Sequence, residues 1–166
     1  MKKTFILVFL TALLTGGLFA ADVVTPGDVA VGPIFSHDVL DVSGPLGGWG
    51  ITGKIAGLPP IFGFNFAVGT QVTFVGITAD WWLYHQVFYE PLNFGLYVGP
   101  GFFGDFTYSS NPAFDFGVRI PFDLDIYPIK PLEVFAEMAP AFGVSFTDPI
   151  APTWRLQAAA GARFWF

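Results

Sequence analysis

FDFGVRIPFDLDI, residues 114–126, is the stretch whose reading decides the fold. Every second residue is apolar: Phe114, Phe116, Val118, Ile120, Phe122, Leu124 and Ile126. Between them lie Asp115, Gly117, Arg119, Pro121, Asp123 and Asp125. Side chains of an extended strand alternate between faces, whereas a helix would scatter both sets around its axis. The stretch therefore reads as a strand with one apolar face and one charged face. Pro121 has no N–H to give to a ladder, which predicts a bulge or local irregularity.

The same alternation spreads outward along the chain. From Trp154 to Phe166 an apolar stripe ending in Phe164 and Phe166 opposes Arg155, Gln157, Arg163 and Trp165. From Leu132 to Val144, Leu132, Val134, Ala136 and Met138 oppose Glu133, Phe135 and Glu137, with Pro140 expected to disturb the register. Leu92 to Phe102, Val75 to Trp81, Phe62 to Gly69 and Trp49 to Ile55 follow suit, and Asp28 to Ser36 makes a less regular first strand. These segments number eight, an even count that returns both chain ends to one side. Breakers predict short turns at Gly57–Pro60, Gly69–Gln71 and Tyr127–Pro131, and longer loops at His37–Gly48, Asp105–Pro112 and Phe146–Pro152. The connection Tyr84–Pro91 reads as a long one on the side of the short turns, and the tight hairpin at Gly69–Gln71 as a short one among the long loops.

Composition says what the apolar faces meet. The chain is 53% hydrophobic, 19% aromatic and 12% charged, against about 25% charged in an ordinary soluble domain. Beyond the N-terminal run, Gly, Pro or a charge interrupts every apolar stretch before it could span a bilayer as a helix. Only helices and closed barrels satisfy their backbone inside lipid, so the pattern predicts a barrel. At the N-terminus, Lys2 and Lys3 precede an apolar run from Phe5 to Phe19 that closes on Ala20 and Ala21, the three-part pattern of a signal peptide. The expected division is a signal peptide over 1–20, cleaved near Ala20, and an outer-membrane β-barrel over 21–166. The chain has no cysteine for lipidation, disulfides or thiolate metal sites. Without Lys2 and Lys3, five basic residues face all thirteen acids, a net charge of −8 that argues against nucleic acid as a partner.

GVRIPFDL (Gly117 to Leu124), VFAEMAP (Val134 to Pro140) and the terminal GARFWF (Gly161 to Phe166) resemble the small OmpA/OmpX-like barrels, and more narrowly a spirochaetal outer-membrane-protein family of unknown function. The resemblance implies an all-β fold, an eight-stranded antiparallel up-and-down transmembrane barrel with a side-chain-filled interior, and no established activity. It also implies that Phe166, closing an alternating strand, is the signal read by the barrel-assembly machinery. Outer-membrane lipids are the other expected partner, and any extracellular ligand is left open.

The candidate site is an interior charge network of Lys54, Asp80, Arg119, Asp123, Glu133, Glu137, Arg155 and Arg163. Removed from bulk water, these groups must pair, and sequential strands suggest Arg119 and Arg163 with Glu133 and Glu137. An aromatic girdle is expected from Trp49, Trp81, Trp82, Tyr84, Trp154, Trp165 and Phe166, since Trp and Tyr gather where hydrocarbon meets headgroups. Ser36-His37-Asp38 has the residue types of a hydrolase, but neighbours on an extended chain point apart. Asp38, Asp41, Asp105 and Asp148 read as solvated loop acids, with no calcium-loop spacing. DFTYSSNP, from Asp105 to Pro112, mixes aromatics and hydroxyls as a contact loop would. The expected role is envelope structure or surface interaction, with neither catalysis, cofactor nor metal. One alternative is a narrow pore or route for ions or small apolar molecules, and another is a soluble periplasmic ligand-binding barrel. If the hydrolase reading is void, incubation with lipid A leaves its acyl number unchanged by mass spectrometry.

Overall fold

The computed structural model describes residues 25–40, 47–69 and 73–166. The expected signal peptide over 1–20, its cleavage near Ala20, and Asp41 lie outside these residues. The described residues form eleven strands: β1 (Val29–Asp38), β2 (Gly47–Ile55), β3 (Pro60–Val68), β4 (Thr73–Trp81), β5 (Tyr84–Tyr89), β6 (Phe94–Val98), β7 (Gly101–Tyr108), β8 (Ala113–Arg119), β9 (Phe122–Ile129), β10 (Leu132–Ser145) and β11 (Ala151–Trp165). A 3-10 turn, Glu90–Leu92, joins β5 to β6. Short breaks divide β4 from β5, β6 from β7 and β8 from β9, so the wall is built from eight chain passes. In the order β11-β1-β2-β3-β4-β7-β8-β10 they form an antiparallel ring that the β10–β11 pairing closes.

The register fixes the bore. From Trp165 the partners run through Ala30, Lys54, Ile61, Asp80, Gly101, Arg119 and Ala141 to Arg155, returning to β11 ten residues from the start. With strands about 4.8 Å apart and a rise of about 3.3 Å per residue, eight strands at that stagger tilt by about 40° and enclose a backbone radius of about 8 Å. All of these partners face inward, so the bore must be filled by side chains. The other parity faces out: Phe62, Phe64, Phe66, Phe116, Val118, Ile120 and Phe164 are exposed.

The breaks correct three expectations. Pro140 does not disturb the register, because β10 pairs with β11 without slip from Leu132↔Phe164 to Ser145↔Ala151. Its missing N–H faces the gap at Ile120-Pro121, where β10 changes partner from β9 to β8, and the Ile120 N–H donates to the Pro140 carbonyl at 3.0 Å. Asp105 does not open a loop, since β7 continues to Tyr108. Tyr84–Pro91 is not a bare connection either: it holds β5, paired with β6. Between Asp80↔Gly101 and Tyr84↔Val98, residues 81–83 oppose 99–100, and the extra residue inverts the alternation. Tyr84, Gln86 and Phe88 are therefore exposed, while His85 is half-buried and stacks on Tyr97 at 4.0 Å.

Parity also corrects the girdle. Trp49, Tyr84, Trp154 and Phe166 are well exposed. Trp82 and Trp165 are buried inside, on the parity of Asp80 and Arg163 respectively, and a strand-end position does not override that direction. Trp81 is largely covered, its ring edge-on to Phe102 at 5.6 Å.

Inside so narrow a bore, glycine leaves space that neighbours use. A Cβ at Gly161 would overlap the Pro33 carbonyl across the β1–β11 seam and the Phe135 ring. Gly161→Val is expected to cost about 1–3 kcal/mol and to lower the melting of the heat-modifiable folded band on gels, whereas Ala160→Val on the outer face leaves it unchanged.

Candidate functional site

The interior carries the chain's only three arginines, each stationed on β8 or β11. Nearest the loop end, Arg155 is bound by Asp105 at 2.5 Å, by Asp115, and more loosely by Asp38 at 4.0 Å, with its guanidinium over the Phe103 ring. In the middle, Arg119 meets Asp80 at 3.0 Å and Glu137, and donates to Gln157 at 2.7 Å. Toward the chain ends, Arg163 meets Glu133 at 2.5 Å and Asp123 at 3.4 Å and lies 4.1 Å from the Phe135 ring centre. The Trp165 indole donates to the second Glu133 oxygen at 2.8 Å. Planar guanidinium groups suit this sharing, since each offers five donors in a fixed fork.

Lys54 stands apart from the acids. Its ammonium donates to the carbonyls of Leu58 and of Pro59, the latter at 3.1 Å, where the β2–β3 turn folds beneath it. It sits 4.9 Å from the Trp82 ring, which stacks on Tyr97 at 3.7 Å, and Tyr97 stacks in turn on His85. A column of Lys54, Trp82, Tyr97 and His85 thus fills the section below β3.

All eight sequence-predicted network residues lie inside the barrel, and Arg119–Glu137 and Arg163–Glu133 are in contact. Sequence reasoning missed Asp38 and Asp105. Both were assigned to solvated loops, and both are buried against Arg155 because β1 and β7 run further than their breakers suggested. Asp115 and Asp125 were already on the charged face of residues 114–126; parity alone would have added them. Asp148 is exposed. Tyr97 follows from the parity of Leu92–Phe102, whereas His85 became visible only through the bulge. Ser36 and Asp38 point inward and His37 outward, so the three do not converge.

Counted among the described residues, eight buried carboxylates (Glu137 included) face four bases. Each arginine is shared by at least two acids, leaving the interior formally negative. A crevice of about 30 Å³ runs from Ser36 and Asp38 at the loop end to Asp80, Glu137 and Arg163, room for about two or three waters. Among the described residues no group of three or more His, Asp or Glu side chains is arranged to hold a metal ion.

No family model matches the chain. No curated protein matches it. Among solved structures, it is similar to the crystal structure of Ail, the attachment invasion locus protein of Yersinia pestis. That likeness has 12% identity and a TM-score of 0.43, over 82% of this chain and 95% of that one.

Glu133 is fully buried between Arg163 and Trp165. Glu133→Ala leaves a buried cation short of its closest partner, an expected loss of about 3–5 kcal/mol in urea unfolding. Adding Arg163→Met does not restore that loss, because Arg163 also holds Asp123, which would then be buried without a cation.

Proposed function

We propose that this chain is a small integral outer-membrane barrel, exported behind a signal peptide over 1–20, that serves envelope structure or surface interaction and neither conducts nor catalyses. One observation carries the reading: the outer wall is a continuous display of Phe, Val, Leu and Ile, while all three arginines are sealed inside. Water would penalise such a wall and lipid would not. A soluble barrel for an apolar ligand needs the aromatic stripes on the inside, the reverse of the observed parity.

The orientation follows from the ends. Both described termini, Thr25 and Phe166, lie beside the β2–β3 turn and the β9–β10 turn, which suits a periplasmic rim. The opposite rim carries the connections after β1, β3, β7 and β10 and is the surface available to other cells or molecules. The C-terminal resemblance to the spirochaetal family agrees with this placement, and Phe166 suits the assembly signal. A narrow cation path is the second reading, favoured by the loop-end crevice and the surplus of acids. Three tiers of shared arginines across a radius of about 8 Å weigh against it.

Two measurements check the proposal. The protein should stay in the membrane pellet after alkaline carbonate extraction, and in planar bilayers it should give no steady conductance. Release by carbonate contradicts membrane integration, and a reproducible cation-selective step favours the pore.

A further inference from the structure

β3 begins at Pro60, whose partner is Trp81, and the Trp82 N–H makes the last contact to that side at the Pro59 carbonyl. The chain then continues as β5 for six more residues with no strand of the described residues on that side. β5 pairs with β6 on one edge and ends the sheet on the other, without a strand partner among the described residues. The eight-pass ring is therefore closed in its upper part and carries, at the end of the chain termini, a hairpin that projects past β3 with one edge unpaired among the described residues. Pro26 lines a surface hollow together with Asn93, Tyr127 and Lys130, which places the tip of this hairpin beside the N-terminal segment.

An open row of N–H and C=O groups cannot be satisfied by hydrocarbon, so under the membrane reading this edge stands in the periplasm. Proteins usually blunt such edges with lysine, proline or a bulge in the strand. β5 carries a register shift between Val87 and Tyr89, but Tyr84, His85, Gln86, Val87, Phe88 and Tyr89 include no lysine, proline or formal charge, and Tyr84, Phe88 and Tyr89 are each more than half exposed. The only formal charge from Leu83 to Val98 is Glu90, exposed at the end of the strip. A second copy does not fit. Antiparallel pairing of two identical edges places the two-fold axis through the wall, which would turn the second barrel upside down in the same membrane.

Resting on the membrane reading, we propose that the free edge of β5 is a docking strip for an extended segment of a periplasmic polypeptide. The segment adds antiparallel as one more strand, setting apolar side chains beside Tyr84 and Phe88 and a basic residue near Glu90. Main-chain pairing supplies the affinity, and the aromatic face and Glu90 supply the preference.

The test uses the purified, folded barrel in detergent micelles and a fluorescent peptide, KTVTVTVT, whose N-terminal lysine reaches Glu90 in antiparallel register and sets valines opposite Phe88 and Tyr84. Anisotropy is expected to show saturable binding. N-methylation of alternate peptide bonds should weaken it by about tenfold or more, because the methylated edge cannot pair. Glu90→Lys should weaken the parent peptide by about two- to fivefold. Hydrogen exchange should show new protection within Tyr84–Tyr89 and nowhere else. Equal binding of parent and N-methylated peptides, protection elsewhere, or no binding at all overturns the proposal. Micelle binding is independent of carbonate extraction, so failure of the docking strip and failure of the membrane reading give separate results.

Discussion

The closed backbone ladder is the constraint from which the rest of this structure follows. Eight passes with a stagger of ten residues leave a cylinder too narrow for bulk water, so inward polar side chains have to find partners among one another, the backbone carbonyls at the turn or a few trapped waters. Charge then stops being a surface property. Arginines on β8 and β11 reach carboxylates on β1, β4, β7, β8, β9 and β10, tying together strands that are not neighbours in the wall. Because each arginine is shared by two or more carboxylates, removing one arginine strands every acid it held in a place with little solvent.

The same logic explains where the ladder is allowed to fail. The breaks at Trp82-Leu83, Gly99-Pro100 and Ile120-Pro121 line up across adjacent passes, and Pro140 turns its missing donor toward the last of them. Pro100, Pro121 and Pro140 meet at this interruption, while Pro33, Pro60, Pro128 and Pro152 lie within other strands. Below that line β3 has ended and, among the described residues, no strand covers the side of β5. The stacked column from Lys54 through Trp82 and Tyr97 to His85 fills the cross-section there. Side-chain stacking thus seals the bore where strand pairing stops, and leaves the β5 edge itself open.

Much of this was legible in the alternation of residues 114–126 and its echoes. The parity of each strand follows from it, and parity places Lys54, Asp80, Arg119, Asp123, Glu133, Glu137, Arg155 and Arg163 on the inner face. What escaped was of two kinds. Strand ends are set by pairing with neighbours, so Asp38 and Asp105 remained inside although breakers nearby suggested loops. The inversion at Leu83 is a one-residue bulge that no composition signals, and it alone brings His85 onto Tyr97. Trp82 and Trp165 were misplaced for a different reason: closeness to a strand end was given more weight than the side-chain direction that their neighbours already declared.

The central claim is that the apolar parity touches acyl chains and the charged parity does not. A photoactivatable lipid carrying a diazirine deep in its acyl chain, reconstituted with the unmodified protein and mapped by mass spectrometry, tests it most directly. Adducts on Phe62, Phe64, Phe66, Phe116, Val118 and Ile120, with none on Arg119, Arg155, Arg163 or Trp165, are the predicted outcome. Adducts on the arginine-bearing face, or labelling confined to the loops, contradict the account.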